Sequence, residues 1–263
     1  MHLLTFFLDH SDENLKSSID LFNLPSTKLL EGYKEKDLYI HAFFSNGKVW
    51  KNKNLGKLKI NKFKNLVKSD LDTSFSEQTV FVCLSEKENF NISDISRDEK
   101  VYEPYPPWRS NIKLFSEHSD ASYQGEIPKA FLDLKLSLVS CSPMFQNIEN
   151  VQNYFYLVNI NRNPKIETFI VKILNEKKDQ IGEISCKTNS HNFTCLDDVI
   201  RERSDLMIFT SEDHGGIPIY FSKDKDSRFL SMEHTHPPVE HVFMGKRHLF
   251  QKKKKSYWFS GKI

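Results

Sequence analysis

The stretch NYFYLVNINRNPKIETFIVKIL, residues 153–174, contains two apolar runs of strand length. The first, YFYLV, is nearly continuous, and the second, ETFIVKIL, alternates in part between apolar and polar residues. Both patterns are typical of strands that lie between two packed layers. The stretch therefore predicts a β-sandwich, and the flanking sequence extends the same pattern.

Short strand-like runs continue on both sides of this stretch, from residue 111 to residue 234. They follow one another closely, with turn residues between them and scarcely any helical periodicity. NEKKDQ at 175–180 and DHGG at 213–216 are typical of hairpin turns. We expect residues 111–245 to form an antiparallel β-sandwich of the jelly-roll or immunoglobulin-like type.

Residues 1–85 show a different pattern and predict a small α/β unit. LLTFFL at 3–8 indicates a buried first strand, whereas SDENLKSSIDLFNL at 11–24 has helical spacing of its apolar residues. Asn46-Gly47 predicts a β-hairpin, and residues 54–72 predict a basic helix. The fold class expected for the whole chain is therefore α+β.

Two further segments differ in composition from these domains. Residues 86–110 are polar and end in YEPYPPW, which is typical of a linker that packs against a domain or offers a contact surface. Residues 246–263 carry Lys252 to Lys255 beside three aromatic residues. This tail predicts peripheral contact with an anionic membrane, with a solvated tail as the alternative.

Composition excludes several classes of function. The net charge is +2, from 37 basic and 35 acidic residues, which is not the footprint of a specific nucleic-acid-binding domain. No glycine-rich loop follows a strand predicted within residues 1–85, which argues against a nucleotide-binding site there. No CxxC pair is present, so a cysteine zinc ribbon is excluded. Scattered cysteines and the lack of a signal peptide predict a cytoplasmic protein. A disulfide between Cys186 and Cys195 is left open.

One cluster carries the residue types of a metal site, in SMEHTHPPVEH at 231–241. His234 and His236 are two residues apart and share one face of a strand, and Glu240 adds a carboxylate. Two histidines and one carboxylate can bind a divalent metal, zinc or iron. The run is similar to the first metal motif of cupins, although no second motif follows Gly245.

A second candidate lies upstream, where His118 and Asp120 resemble the HxD pair of Fe(II)/2-oxoglutarate oxygenases. The predicted metal ligands are thus His234, His236, Glu240 and His118, with Glu240 and Asp120 as catalytic groups. A polar network without metal and an unconstrained surface are the alternatives for these histidines.

Two functions from different classes follow from the sequence. The first is a metal-binding β-sandwich protein. As an enzyme it would be a hydrolase or a non-haem iron enzyme that acts on a small polar or carbohydrate-like substrate. The second is a non-catalytic binding or assembly module that contacts other proteins and uses its histidines structurally. Neither function is settled by composition or spacing.

Overall fold

The structure is a computed structural model that describes residues 3–8, 10, 12–24, 36–68, 71, 79–95, 97, 108–133, 138–143, 149–202, 204, 206–212 and 214–233. Within these residues 58% lie in β-strands, and no α-helix is present. Short 3-10 turns occur at Ile92–Asp94, Lys129–Leu132 and Leu196–Asp198. A membrane-crossing helix, which would have to be long and apolar, is not found in this part of the chain.

The described strands are numbered in chain order: β1 (Leu3–Thr5), β2 (Lys16–Asn23), β3 (Leu38–Ser45), β4 (Trp50–Leu58), β5 (Phe63–Val67), β6 (Thr79–Ser85), β7 (Trp108–Phe115), β8 (Asp120–Gln124), β9 (Ile127–Pro128), β10 (Leu138–Pro143), β11 (Val151–Asn159), β12 (Thr168–Leu174), β13 (Gln180–Lys187), β14 (Ser190–Cys195), β15 (Leu206–Ser211), β16 (Ile217–Asp224) and β17 (Leu230–Glu233).

The chain divides into two compact units. The first comprises Met1–Asp133 and Ile160–Ile166, and the second comprises Leu134–Asn159 and Glu167–Ile263. The boundaries expected from the sequence, at residues 85, 110 and 245, stay predictions. Residues 98–107 of the expected linker and the whole expected tail lie outside the described residues, whereas residues 108–110 of the linker form the start of β7.

The first unit contains two antiparallel sheets that contribute to one core. One sheet has the order β4-β3-β6-β1-β9, and the other has the order β5-β2-β7-β8. Their apolar side chains meet in a single buried cluster, which draws Ile40 and Val82 from the first sheet and Ile19 and Trp108 from the second. Burial of about 25 cal/mol for each Å² of apolar surface makes this shared core the main stabilising contribution.

The predicted α/β unit at residues 1–85 is wrong, because both of its predicted helices are β-structure. Segment 11–24 contains β2, in which Ile19 and Leu21 are both 0% exposed. Because these residues are two apart, they lie on one face of the strand. Segment 54–72 contains the end of β4, a turn, and β5. The buried run at 3–8 is confirmed only in part as a strand, because β1 covers Leu3–Thr5 while residues 6–8 are buried outside a strand. The Asn46-Gly47 hairpin is confirmed, with β3 and β4 paired across that turn.

The second unit also contains two antiparallel sheets around one core, which confirms the sandwich-like antiparallel architecture expected here. The sheet orders are β10-β15-β12-β13 and β14-β11-β16-β17. Phe155 and Tyr220 of one sheet pack with Val171 and Phe209 of the other in a common buried cluster. Phe155 and Phe209 stack with ring centroids 4.7 Å apart.

One predicted hairpin in this unit is wrong and has a different role. The segment at 213–216 joins β15 to β16, which belong to different sheets, so the chain crosses the sandwich there. Gly216 lies against β11: a Cβ at this position would stand 2.3 Å from the carbonyl oxygen of Val158. The close approach of two backbones therefore explains the glycine. The hairpin predicted at 175–180 is confirmed between β12 and β13.

Candidate functional site

The predicted metal ligands fall on two parts of the chain, and only one part is described. His234, His236 and Glu240 lie outside the described residues, where β17 ends at Glu233. Within the described part of the chain, no group of three or more His, Cys, Asp and Glu side chains is placed to hold a metal ion. A metal at 234–240 therefore stays a prediction.

His118 and Asp120 lie at the β7–β8 hairpin of the first unit. His118 is exposed in the turn, and its backbone N–H donates to Oγ of Ser116 at 3.1 Å. The carboxylate of Asp120 lies 3.1 Å from Nζ of Lys113. Strand pairing joins β7 to β2 and β8, whereas β17 pairs with β16. β17, the last described strand before His234, is therefore not paired with β7 or β8.

All four cysteines lie in the described residues, and none forms a disulfide. Cys186 on β13 and Cys195 on β14 belong to different sheets, and the bond that the sequence left open is not formed. Burial raises the pKa of the Cys186 thiol to about 12. Desolvation also raises the pKa of Cys195. Both thiols are therefore protonated at neutral pH, which is a state of low nucleophilic reactivity.

A strongly basic surface lies along one side of the first unit. Residues 48–68, here termed the lysine-rich edge, contain eight lysines and no acidic residue. β4 is the outermost described strand of its sheet, and β5 is the outermost described strand of the other sheet. The turn at 59–62 joins these two strands. The lysines are Lys48, Lys51, Lys53, Lys57, Lys59, Lys62, Lys64 and Lys68.

Strand register sets the direction of the lysines on β4. Lys51 pairs with Phe44 and Lys53 pairs with Ala42, which is part of the buried core. Residues two apart on a strand share a face, so both lysines leave β4 on the side of the core. Lys51 is exposed, whereas Lys53 is half-buried.

Two other lysines are held by specific contacts. Lys64 on β5 donates a hydrogen bond from Nζ to the carbonyl oxygen of Leu55 on β4, at 3.2 Å. Nζ of Lys57 lies 5.0 Å from the centroid of the Tyr39 ring, a cation–π contact. These contacts fix positive charge at the middle and at one end of β4.

The opposite face of β4 is tied to the segment at 86–95. Asn54 donates from Nδ2 to the carbonyl of Glu88 at 3.0 Å, and Asn52 donates to the carbonyl of Phe90. His41 on β3 lies 2.9 Å from the carbonyl of Lys87 and donates to it from Nε2. Desolvation by burial lowers the pKa of His41 and favours the neutral ring, although the hydrogen bond to Lys87 acts in the opposite direction. One face of β4 is therefore fixed, while its outer rim carries the lysines.

Apolar side chains are exposed near the two ends of the lysine-rich edge. Val49, before β4, is 50% exposed, and Phe63, at the start of β5, is 60% exposed. A single exposed apolar residue is ordinary. Val49 and Phe63 therefore add exposed apolar surface beside the lysines.

The lysine-rich edge was not predicted from the sequence, because residues 54–72 were expected to form a helix. A signal was present in the spacing of the lysines, which recur two residues apart at 51 and 53, at 57 and 59, and at 62 and 64. A period of two is typical of strands.

No family model, no curated protein and no solved structure matches the chain.

Proposed function

We propose that the protein is a non-catalytic binding module whose lysine-rich edge takes an extended anionic partner. The observation that carries this proposal is the row of eight lysines, without an acidic residue, along two outermost described strands and the turn between them. Elsewhere in the first unit Lys36 is paired with Glu86, and Arg162 is paired with Asp133. The edge concentrates positive charge in a chain whose net charge is only +2.

The dimensions of the edge favour an elongated partner. β4 has nine residues, which corresponds to about 30 Å of strand. Residues two apart on a strand are separated by about 7 Å, which is within the Debye length of about 8 Å at physiological salt. Neighbouring ammonium groups therefore repel one another, and a partner with repeated negative charges relieves that repulsion.

Lysines on an outermost strand also have a protective role. They keep a strand edge from pairing with another copy of the same chain, which guards against aggregation. The two roles are compatible, because a surface that repels itself can still attract an anion. Only the binding role predicts saturable, salt-dependent association with an anionic ligand.

The test is a titration of fluorescein-labelled poly-L-glutamate, followed by anisotropy at about 0.05 and 0.15 M salt. The triple variant Lys51→Gln/Lys57→Gln/Lys62→Gln should bind about ten-fold more weakly or worse, since it removes three charges of the edge. The matched control is Lys177→Gln/Lys187→Gln/Lys225→Gln, which removes three exposed lysines of the second unit. Equal weakening by both variants, or no binding of poly-glutamate, heparin or oligo-dT, would contradict the proposal.

A divalent metal site remains a second proposal, carried by the spacing of His234, His236 and Glu240. In that proposal zinc or iron binds these residues, with His118 or Asp120 completing the site, and the ligand is a small polar or carbohydrate-like molecule. The metal would lower the pKa of a bound water.

Peripheral contact of the tail at 246–263 with an anionic membrane is also a proposal. The cytoplasmic location is also proposed, and the absence of disulfides among the four cysteines supports it.

A further inference from the structure

The geometry of β4 points to a partner of specific form: an extended acidic peptide that adds to the sheet as a further strand beside β4. This inference rests on the proposed function, because it names the anion that the lysine-rich edge takes. β4 is the outermost described strand of its sheet and pairs on one side with β3. Within the described residues no strand pairs with its other side, and an extended peptide can hydrogen-bond to backbone N–H and C=O groups at such an edge.

The length of the added strand follows from the register of β4. Residues Trp50 to Asn54 pair in regular order with β3, and the register then shifts between Tyr39 and His41. Gly56, at this irregularity, has a φ of +97°, outside the range of a regular strand. The regular part of β4 therefore offers five residues, or about 17 Å, to a partner strand.

The side chains of β4 then select the sequence of the partner. Lys51 and Lys53 share a face, so residues two apart in an added strand lie opposite them, and acidic residues suit those positions. On the other face, the amides of Asn52 and Asn54 are engaged with the segment at 86–95. Uncharged polar residues suit that face of the partner. The expected pattern is alternation of acidic and small polar residues.

A second copy of this chain is a poor occupant of the same edge. If β4 of one molecule paired with β4 of another, Lys51 and Lys53 would face the same lysines across the new pair. Like charges directly opposite each other in a sheet are destabilising. Sequence-specific nucleic-acid binding is also disfavoured, since the edge carries lysines and no arginine, and lysine lacks the planar fork that reads base edges.

The probe is a fluorescein-labelled nonapeptide of alternating Thr and Glu, compared with two twins of equal charge. One twin is N-methylated at a central Thr and at the Glu after it, which blocks both edges of its strand. The other has its glutamates in one block, which removes the alternation. At about 0.15 M salt the alternating peptide should bind at least ten-fold more tightly than either twin. Lys51→Gln/Lys53→Gln should abolish that difference.

A second readout is amide hydrogen exchange in the full-length protein. Exchange within residues 50–54 should slow when the alternating peptide binds, because outward N–H groups gain acceptors. Equal binding of the N-methylated twin, to within about two-fold, would overturn the strand-addition inference and leave the anion-binding proposal standing. Tight binding of heparin or oligo-dT without binding of the alternating peptide would likewise overturn the strand-addition inference and leave the anion-binding proposal standing. Binding of none of these probes would instead remove the proposed function itself.

Discussion

The ammonium nitrogen of Lys64 on β5 lies 3.2 Å from the carbonyl oxygen of Leu55 on β4. β4 and β5 belong to different sheets, so this hydrogen bond joins the two sheets of the first unit at their rim. Leu55 is itself packed against the core of that unit. The same lysine therefore contributes to the stability of the sandwich and to the charge of the lysine-rich edge.

Replacing Lys64 by Met removes the ammonium group and keeps a long side chain. We expect the free energy of unfolding to fall by about 1 kcal/mol, because the Leu55 carbonyl loses a charged donor at a partly solvated site. Lys62→Met, in the exposed turn, is the control and should change stability by less than about 0.5 kcal/mol. Urea unfolding measures both values. Equal changes in the two variants would show that the Lys64 contact adds nothing.

The exchange of glycine for alanine at position 216 tests the close approach of two strands. A Cβ there would stand 2.3 Å from the carbonyl oxygen of Val158, so backbone must move. We expect a loss of about 3 kcal/mol or more, seen as a lower urea midpoint. Gly56→Ala is the comparison: no described atom lies within 4 Å, and its φ of +97° alone predicts a loss of about 1 kcal/mol. A larger loss of stability in Gly56→Ala than in Gly216→Ala would contradict the close approach of the two strands at Gly216.

The error in the predicted α/β unit has a physical cause in β2. Ser17 and Ser18 are 5% and 2% exposed, although serine normally indicates a surface position. Ser17 is buried because its Oγ accepts a hydrogen bond from the N–H of Leu8 at 2.9 Å. A buried polar pair within the strand hides the alternation of Ile19 and Leu21. The remaining apolar residues then match a helical spacing by coincidence.

Strands with clear local signals were predictable, whereas the function of the edge was not. Continuous burial of Phe155, Tyr156 and Leu157 matches the apolar run that predicted a strand between layers. The Asn46-Gly47 turn was equally local, since Gly47 takes a φ of +84° that favours glycine. The position of β4 at the rim depends on pairing partners distant in sequence. Charge alone could not show that Lys51 and Lys53 share one face of β4.

The buried thiol of Cys186 predicts a pH dependence of stability. Burial raises its pKa from 9.0 to about 12, so the folded state keeps a proton that the unfolded state loses above pH 9.0. Its contribution is fully present below the unfolded pKa and is lost as the pH rises toward the folded pKa, at about 1.4 kcal/mol for each pH unit.

The comparison of wild type with Cys186→Ala isolates this contribution, because every other titrating group is common to both proteins. The difference in their free energies of unfolding, from urea titrations between about pH 8 and 10, should shrink as the pH rises. Cys141→Ala, which removes a thiol that is only half-buried, should show a smaller slope. A difference that is independent of pH would mean that Cys186 ionises as readily in the folded state as in the unfolded one.

Metal content decides between the binding-module and metal-site proposals. Elemental analysis of protein purified without a histidine tag should give about one equivalent of zinc or iron if His234, His236 and Glu240 bind a metal. His234→Ala/His236→Ala should lose it, while His214→Ala should keep it, because the ring of His214 stacks on Phe169 at 4.8 Å and lies outside the predicted cluster. A loss in His118→Ala would add that residue as a ligand. Absence of metal in every protein after reconstitution would remove the metal proposal and leave the lysine-rich edge as the functional surface.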